Sequence, residues 1–101
     1  MTQSAPRLFV RAAARRDLAE AFRWYEARST GLGHEFLRAV RVVFAGIQRA
    51  PEQHPVADAD VRKARVARFP YLVYYVILDT RISVIAVMHG HRHPRRWQSR
   101  R

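Results

Sequence analysis

The apolar positions change their spacing along the chain, and each change marks an element. Leu8-Phe9-Val10 is a short apolar run of moderate β-propensity and predicts a first strand. Over residues 12–28 the spacing turns helical. Leu18, Ala21, Phe22 and Tyr25 fall at i, i+3, i+4 and i+7 and so share one face, with Arg16, Glu20, Arg23 and Ala27 off it. Ser29-Thr30-Gly31-Leu32-Gly33 breaks this helix, because its glycines tolerate the left-handed backbone of a tight reversal. Phe36, Val40, Val43, Phe44 and Ile47 form the stripe of a second helix over about residues 33–50, which Pro51 stops. Two such helices with a short link predict an antiparallel hairpin.

After the helices the period drops to two. Residues 51–60 hold two prolines and three acids with few large apolar groups, and are expected to be a loop. Residues 61–69 alternate, with Arg62, Ala64, Val66 and Arg68 on one side and Lys63, Arg65, Ala67 and Phe69 on the other, as in a strand with a basic rim. Pro70 interrupts that strand or marks a bulge. Residues 71–78 are apolar on both faces, which suits a central strand, and Asp79-Thr80 turns the chain into a partner strand over 81–88. The expected order is β-α-α-β-β-β. This is an α+β domain whose helical hairpin covers one face of a small, mainly antiparallel sheet. Residues 1–101 read as one domain, with 94–101 a basic tail.

Composition changes this picture mainly through charge. The formal net charge is +11, and Lys63 is the single lysine among nineteen basic side chains. Arginine presents a planar fork that matches phosphate and carboxylate. Up to Pro51, nine arginines face four acids; from Val61 onward, nine arginines and Lys63 face Asp79 alone. An uncompensated field of this kind calls for an anionic macromolecule, either nucleic acid or an acidic protein. Having no cysteine, the chain carries no disulfide framework or thiolate metal site and suits a reducing cytoplasm. No apolar run approaches the roughly 20 residues of a membrane span. The polar start lacks the apolar core of a signal peptide. Neither a membrane partner nor a cofactor is expected.

Several segments together resemble a known family. They are Ala14-Arg15-Arg16-Asp17-Leu18-Ala19-Glu20-Ala21 with Trp24-Tyr25-Glu26; Gly31-Leu32-Gly33 with Phe36; Arg65-Val66-Ala67-Arg68-Phe69-Pro70-Tyr71 with Val73 and Tyr75; and Val87-Met88-His89 with Arg92, Pro94 and Trp97. In this order, over nearly the whole chain, they resemble the ParE branch of the RelE/ParE toxin superfamily, the plasmid-stabilisation proteins. The resemblance implies the β-α-α-β-β-β fold and the toxin role in a type II toxin–antitoxin system. It also implies a cognate acidic antitoxin encoded alongside. ParE proteins inhibit DNA gyrase, whereas RelE proteins cleave mRNA on the ribosome. A hetero-oligomer of toxin with antitoxin is among the states it allows.

Metal-free RNA cleavage needs an acid–base pair and cations around the developing phosphorane. Where RelE-like enzymes carry an arginine on the central strand, this chain has Tyr71, which weighs against cleavage. If the chain is a nuclease, His89 and His91 are the catalytic candidates, with Arg62 and Arg65 as phosphate clamps. The other reading of these histidines is a solvated tail, with His89 bonded to backbone or to a tyrosine. His89, His91 and His93 share one side of an extended strand, but the surrounding arginines repel a cation, and no metal is expected. For target or antitoxin binding the candidates are Arg62, Arg65, Arg68, Arg92, Arg95, Arg96 and Trp97. Trp97 either stacks on a partner or pins the tail to the body. Tyr25 reads as core and Trp24 as half exposed. Gyrase inhibition is the first expectation and ribosome-dependent mRNA cleavage the second. An inactive binding module that keeps the fold is the third.

Overall fold

The computed structural model describes residues 6–91 and 96–100. Strand β1 (Arg7–Val10) leads into helices α1 (Ala12–Arg28) and α2 (Leu32–Arg49). A 3-10 turn (Pro51–Gln53) follows, then strands β2 (Val56–Asp58), β3 (Val61–Arg65), β4 (Tyr71–Leu78) and β5 (Arg81–His89). A second 3-10 turn (Arg96–Arg100) ends the described chain. The five strands form one sheet in the order β1-β5-β4-β3-β2. β1 runs parallel to β5, and every other pairing is antiparallel. The α+β class and the two-helix layer match expectation, with one strand more than the sequence announced.

Glu26 builds the link between the helices. Its two carboxylate oxygens accept the backbone N–H groups of Gly31 (2.8 Å) and Gly33 (2.9 Å), so the end of α1 caps the start of α2. These bonds hold its carboxyl below the ordinary glutamate value, the Gly31 bond most of all. Gly31 has φ +91°, in the left-handed region. At Gly33 a Cβ would lie 2.7 Å from the Phe22 carbonyl oxygen, so the second glycine serves close helix approach.

Apolar side chains cover both faces of the sheet. On the helix side Tyr25 and Phe36 meet Phe69 and Tyr71 in an aromatic cluster with ring centroids 5.0–6.0 Å apart. Ile47, Val73, Tyr75, Ile82, Val84 and Val87 continue this core. Burial raises the Tyr75 hydroxyl to about 12, and it donates to the Pro51 carbonyl at 2.5 Å. On the opposite face Val61, Tyr74, Val76, Ile85, Ala86 and Met88 gather around Trp97. Two covered faces account for the unbroken apolar runs of β4 and β5.

Two expectations need correction. The strand drawn over 61–69 ends at Arg65. Beyond it Val66 donates to the Tyr71 carbonyl and Phe69 to the Val66 carbonyl, while Arg68 takes φ +69°, so 66–70 is a tight connection. The loop expected over 51–60 contains a helical turn and β2, which gains its ladder by pairing with β3. Within the basic tail, residues 96–100 form a turn packed on the sheet through Trp97, which pins it to the body.

Candidate functional site

β5 has one more residue than its neighbour can match. Tyr74 pairs with Ala86 and Tyr75 with Val84, which leaves Ile85 as a bulge. The bulge shifts the phase of the strand, so that Val84 and Val87 face the helices while Ile85, Ala86 and Met88 face away. β1 covers β5 only as far as Val84, and Arg11, the first residue past β1, donates its backbone N–H to the Val84 carbonyl at 3.0 Å.

Beyond that point side chains take up the outward backbone groups of β5. The Val87 N–H donates to Asp17 Oδ2 at 3.0 Å, and the Ile85 carbonyl accepts from Arg100 Nη1 at 3.2 Å. Asp17 and Arg100 also bind each other in a fork, with Nη1 to Oδ2 at 2.6 Å and Nη2 to Oδ1 at 3.2 Å. Arg11 braces the arrangement by donating to Ser83 Oγ at 2.7 Å and to the Arg100 carbonyl at 2.8 Å. A cavity of about 340 Å³ opens at this edge between α1 and the C-terminal turn, lined in part by Arg16, Trp24, His89 and Arg96. Trp24 is 43% exposed, with the Arg28 guanidinium 4.2 Å from its ring centre.

A second cavity, of about 660 Å³, lies where β3 meets β4. Its lining includes His54, Lys63, Arg65, Tyr71 and His91. His89 and His91, paired by their spacing, therefore line different cavities. The His91 N–H donates to His89 Nδ1 at 3.2 Å, and the His89 ring lies 5.7 Å from Tyr71.

The expected arginines have divided roles. Arg62 turns inward, donating to the Glu52 carbonyl at 3.1 Å and the His54 carbonyl at 2.7 Å, so it braces the segment before β2. Arg65, Arg68 and Arg96 are exposed. Arg92 and Arg95 lie outside the described residues, as do His93 and Pro94. Of the two readings of Trp97 the structure takes the pinning one over partner binding: the ring is 4% exposed and stacked on Tyr74 at 4.8 Å, completing the chain's own second core. Arg62 pairs with Tyr75 and His89 with Tyr71. Those positions lie four residues apart on β4, about 13 Å along the strand, whereas Arg65 pairs with Leu72, next to Tyr71. Among the described residues no group of three His, Asp or Glu could hold a metal ion, and no helix is long and apolar enough to cross a membrane.

Asp17 and Arg100 were absent from the sequence-level candidates. Asp17 carried a usable signal, since it lies three residues after buried Ala14 and four before buried Ala21, an acid on the inward face of a helix. Arg100 carried none, because its partner is 83 positions away.

A two-helix cap on a bulged sheet, with exposed arginines and a half-open strand edge, makes a small basic α+β domain. The family described as "ParE toxin of type II toxin-antitoxin system, parDE" matches residues 8–94, and the chain belongs to it. The fold is similar to a solved chain of the "Chromosomal ParDE TA system from P. aeruginosa", with TM-score 0.75 and 15% identity over 84% of this chain and 96% of that one. No curated protein matches the chain by sequence.

Proposed function

We propose that this ParE-family toxin arrests growth by inhibiting DNA gyrase in the cytoplasm, without catalysis of its own, and that an acidic antitoxin holds it in check. The observation that carries the non-catalytic reading is the loss of two nuclease cations, Arg62 to the body of the protein and the central-strand arginine to Tyr71. Arg62 is spent on backbone carbonyls, which leaves Arg65 beside His91 in the second cavity, and Tyr71 is packed against Phe36 where RelE-like enzymes carry arginine. An acidic partner is favoured by the net charge of +11, which such a partner would relieve.

The test follows DNA supercoiling and transcript integrity together after brief expression. Inhibition of purified gyrase, with messages intact, is the expected result, and His89→Ala with His91→Ala should retain it. Rapid cleavage of translated messages, abolished by that double variant, would establish the ribosome-dependent nuclease instead. Unimpaired growth with neither effect would leave a binding module of ParE fold.

A further inference from the structure

A sheet edge with no strand beside it is a template for another chain, and proteins guard such edges with charged side chains or covering segments. Among the described residues β5 has such an edge from Ile85 to His89, since β1 stops at Val84 while β4 continues on the other side. The guard is made of Asp17 and Arg100. Asp17 supplies an acceptor to the Val87 N–H and Arg100 supplies a donor to the Ile85 carbonyl, as a neighbouring strand would.

We propose that this edge is a latched docking seat for an extended, acidic segment of the partner protein, and that the segment enters by displacing the Asp17–Arg100 pair. This names a seat for the acidic partner proposed above and rests on that reading. An entering chain offers an N–H to the Ile85 carbonyl and a carbonyl to the Val87 N–H, so each backbone bond is replaced in kind. A carboxylate on the same segment takes the Arg100 guanidinium in place of Asp17.

Charge complementarity selects the occupant. Arg16, Arg96 and Arg100 stand around the opening against Asp17 and Glu20. Once Arg100 changes partner, an acidic segment meets three guanidinium groups there, whereas a basic segment meets the same three as repulsion. Trp24, on the rim and 43% exposed, provides an apolar wall for alternate side chains of the segment.

The test uses the full chain and a synthetic peptide of alternating glutamate and valine with blocked ends, followed by amide NMR. Shifts and slowed exchange centred on Ile85, Val87 and their neighbours are expected. Methylating alternate backbone nitrogens of the peptide, or replacing glutamate with lysine, should weaken binding by about tenfold or more, the loss of one or two charge-assisted or backbone bonds. Asp17→Asn keeps an acceptor for the Val87 N–H but loosens its hold on Arg100, and should tighten the peptide; a merely structural Asp17 would not. A shallow groove elsewhere, between the two helices, is lined by Leu18, Phe22 and Leu37; shifts centred there, binding indifferent to methylation, or no binding at all would overturn the proposal. Should the Asp17 variant not fold, the peptide series decides alone. Gyrase is absent from this assay, so a chain that takes the peptide but spares gyrase keeps the seat and loses the target.

Discussion

Asp17 and Arg100 meet across 83 positions of chain, Oδ2 to Nη1 at 2.6 Å, and between them take up two backbone groups of β5 that no described strand reaches. The pair therefore ties the first helix, the last strand and the C-terminal turn together. A part-buried fork of this kind is worth more than an exposed ion pair, because removing one partner strands the other beside unpaired backbone.

Arg100→Ala is accordingly expected to lower stability by about 2 kcal/mol, the scale of a lost charge-assisted hydrogen bond. Urea denaturation measures this. The Val87 amide, which Asp17 accepts, should exchange faster in the same variant. An unchanged midpoint would mean that the turn is held by Trp97 alone.

The two glycines of the inter-helix link should respond differently to alanine. At Gly33 the new methyl meets the Phe22 carbonyl oxygen at 2.7 Å, so backbone must move, at a cost of about 1–3 kcal/mol. At Gly31 nothing lies within 4 Å and only the left-handed φ of +91° is penalised, which costs about 1–2 kcal/mol. Differential scanning calorimetry of both variants checks the mechanism. A Gly33→Ala protein with relaxed helix spacing in a crystal structure would confirm the close approach as its cause.

Glu26 sets a pH dependence. Its folded-state pKa is lowered, chiefly by the Gly31 N–H, so the folded protein prefers the ionised form. The stabilisation is complete above the unfolded glutamate value of about 4.3. It is lost as the pH falls through the lowered folded value. Glu26→Gln retains one carbonyl acceptor but no charge. Its stability should therefore change less than the parent's across that acidic interval, as equilibrium unfolding at stepped pH will show.

The helical hairpin and the two central strands were legible because their signals are local. Tyr25 and Phe36 fall on periodic stripes, and β4 is apolar on both faces because both faces are covered. What stayed hidden depends on distant partners. Val56–Asp58 is too short and polar to announce a strand, and is one because β3 lies beside it. Arg68 continues an alternating pattern that its positive φ breaks, and nothing in an arginine foretells that geometry. The site suffered most. Arginine identity and density cannot tell Arg62, bonded to two carbonyls, from exposed Arg65.

That last distinction gives the sharpest prediction about function. If exposed guanidinium groups carry recognition and inward ones carry architecture, substitutions on neighbouring residues of one basic segment must separate the two. Arg62→Ala removes both bonds to the segment before β2 and is expected to cost about 1–2 kcal/mol. The dose of expressed toxin needed for growth arrest should stay close to that of the parent, corrected for folded protein. Arg65→Ala with Arg68→Ala removes two exposed charges, and should leave the melting temperature within a degree or two. The same double variant should weaken growth arrest and flatten its dependence on salt in a purified binding assay, because charges at a rim act through long-range attraction. Should the stable double variant arrest growth as the parent does, recognition would have to be sought at the Arg16 and Arg96 opening.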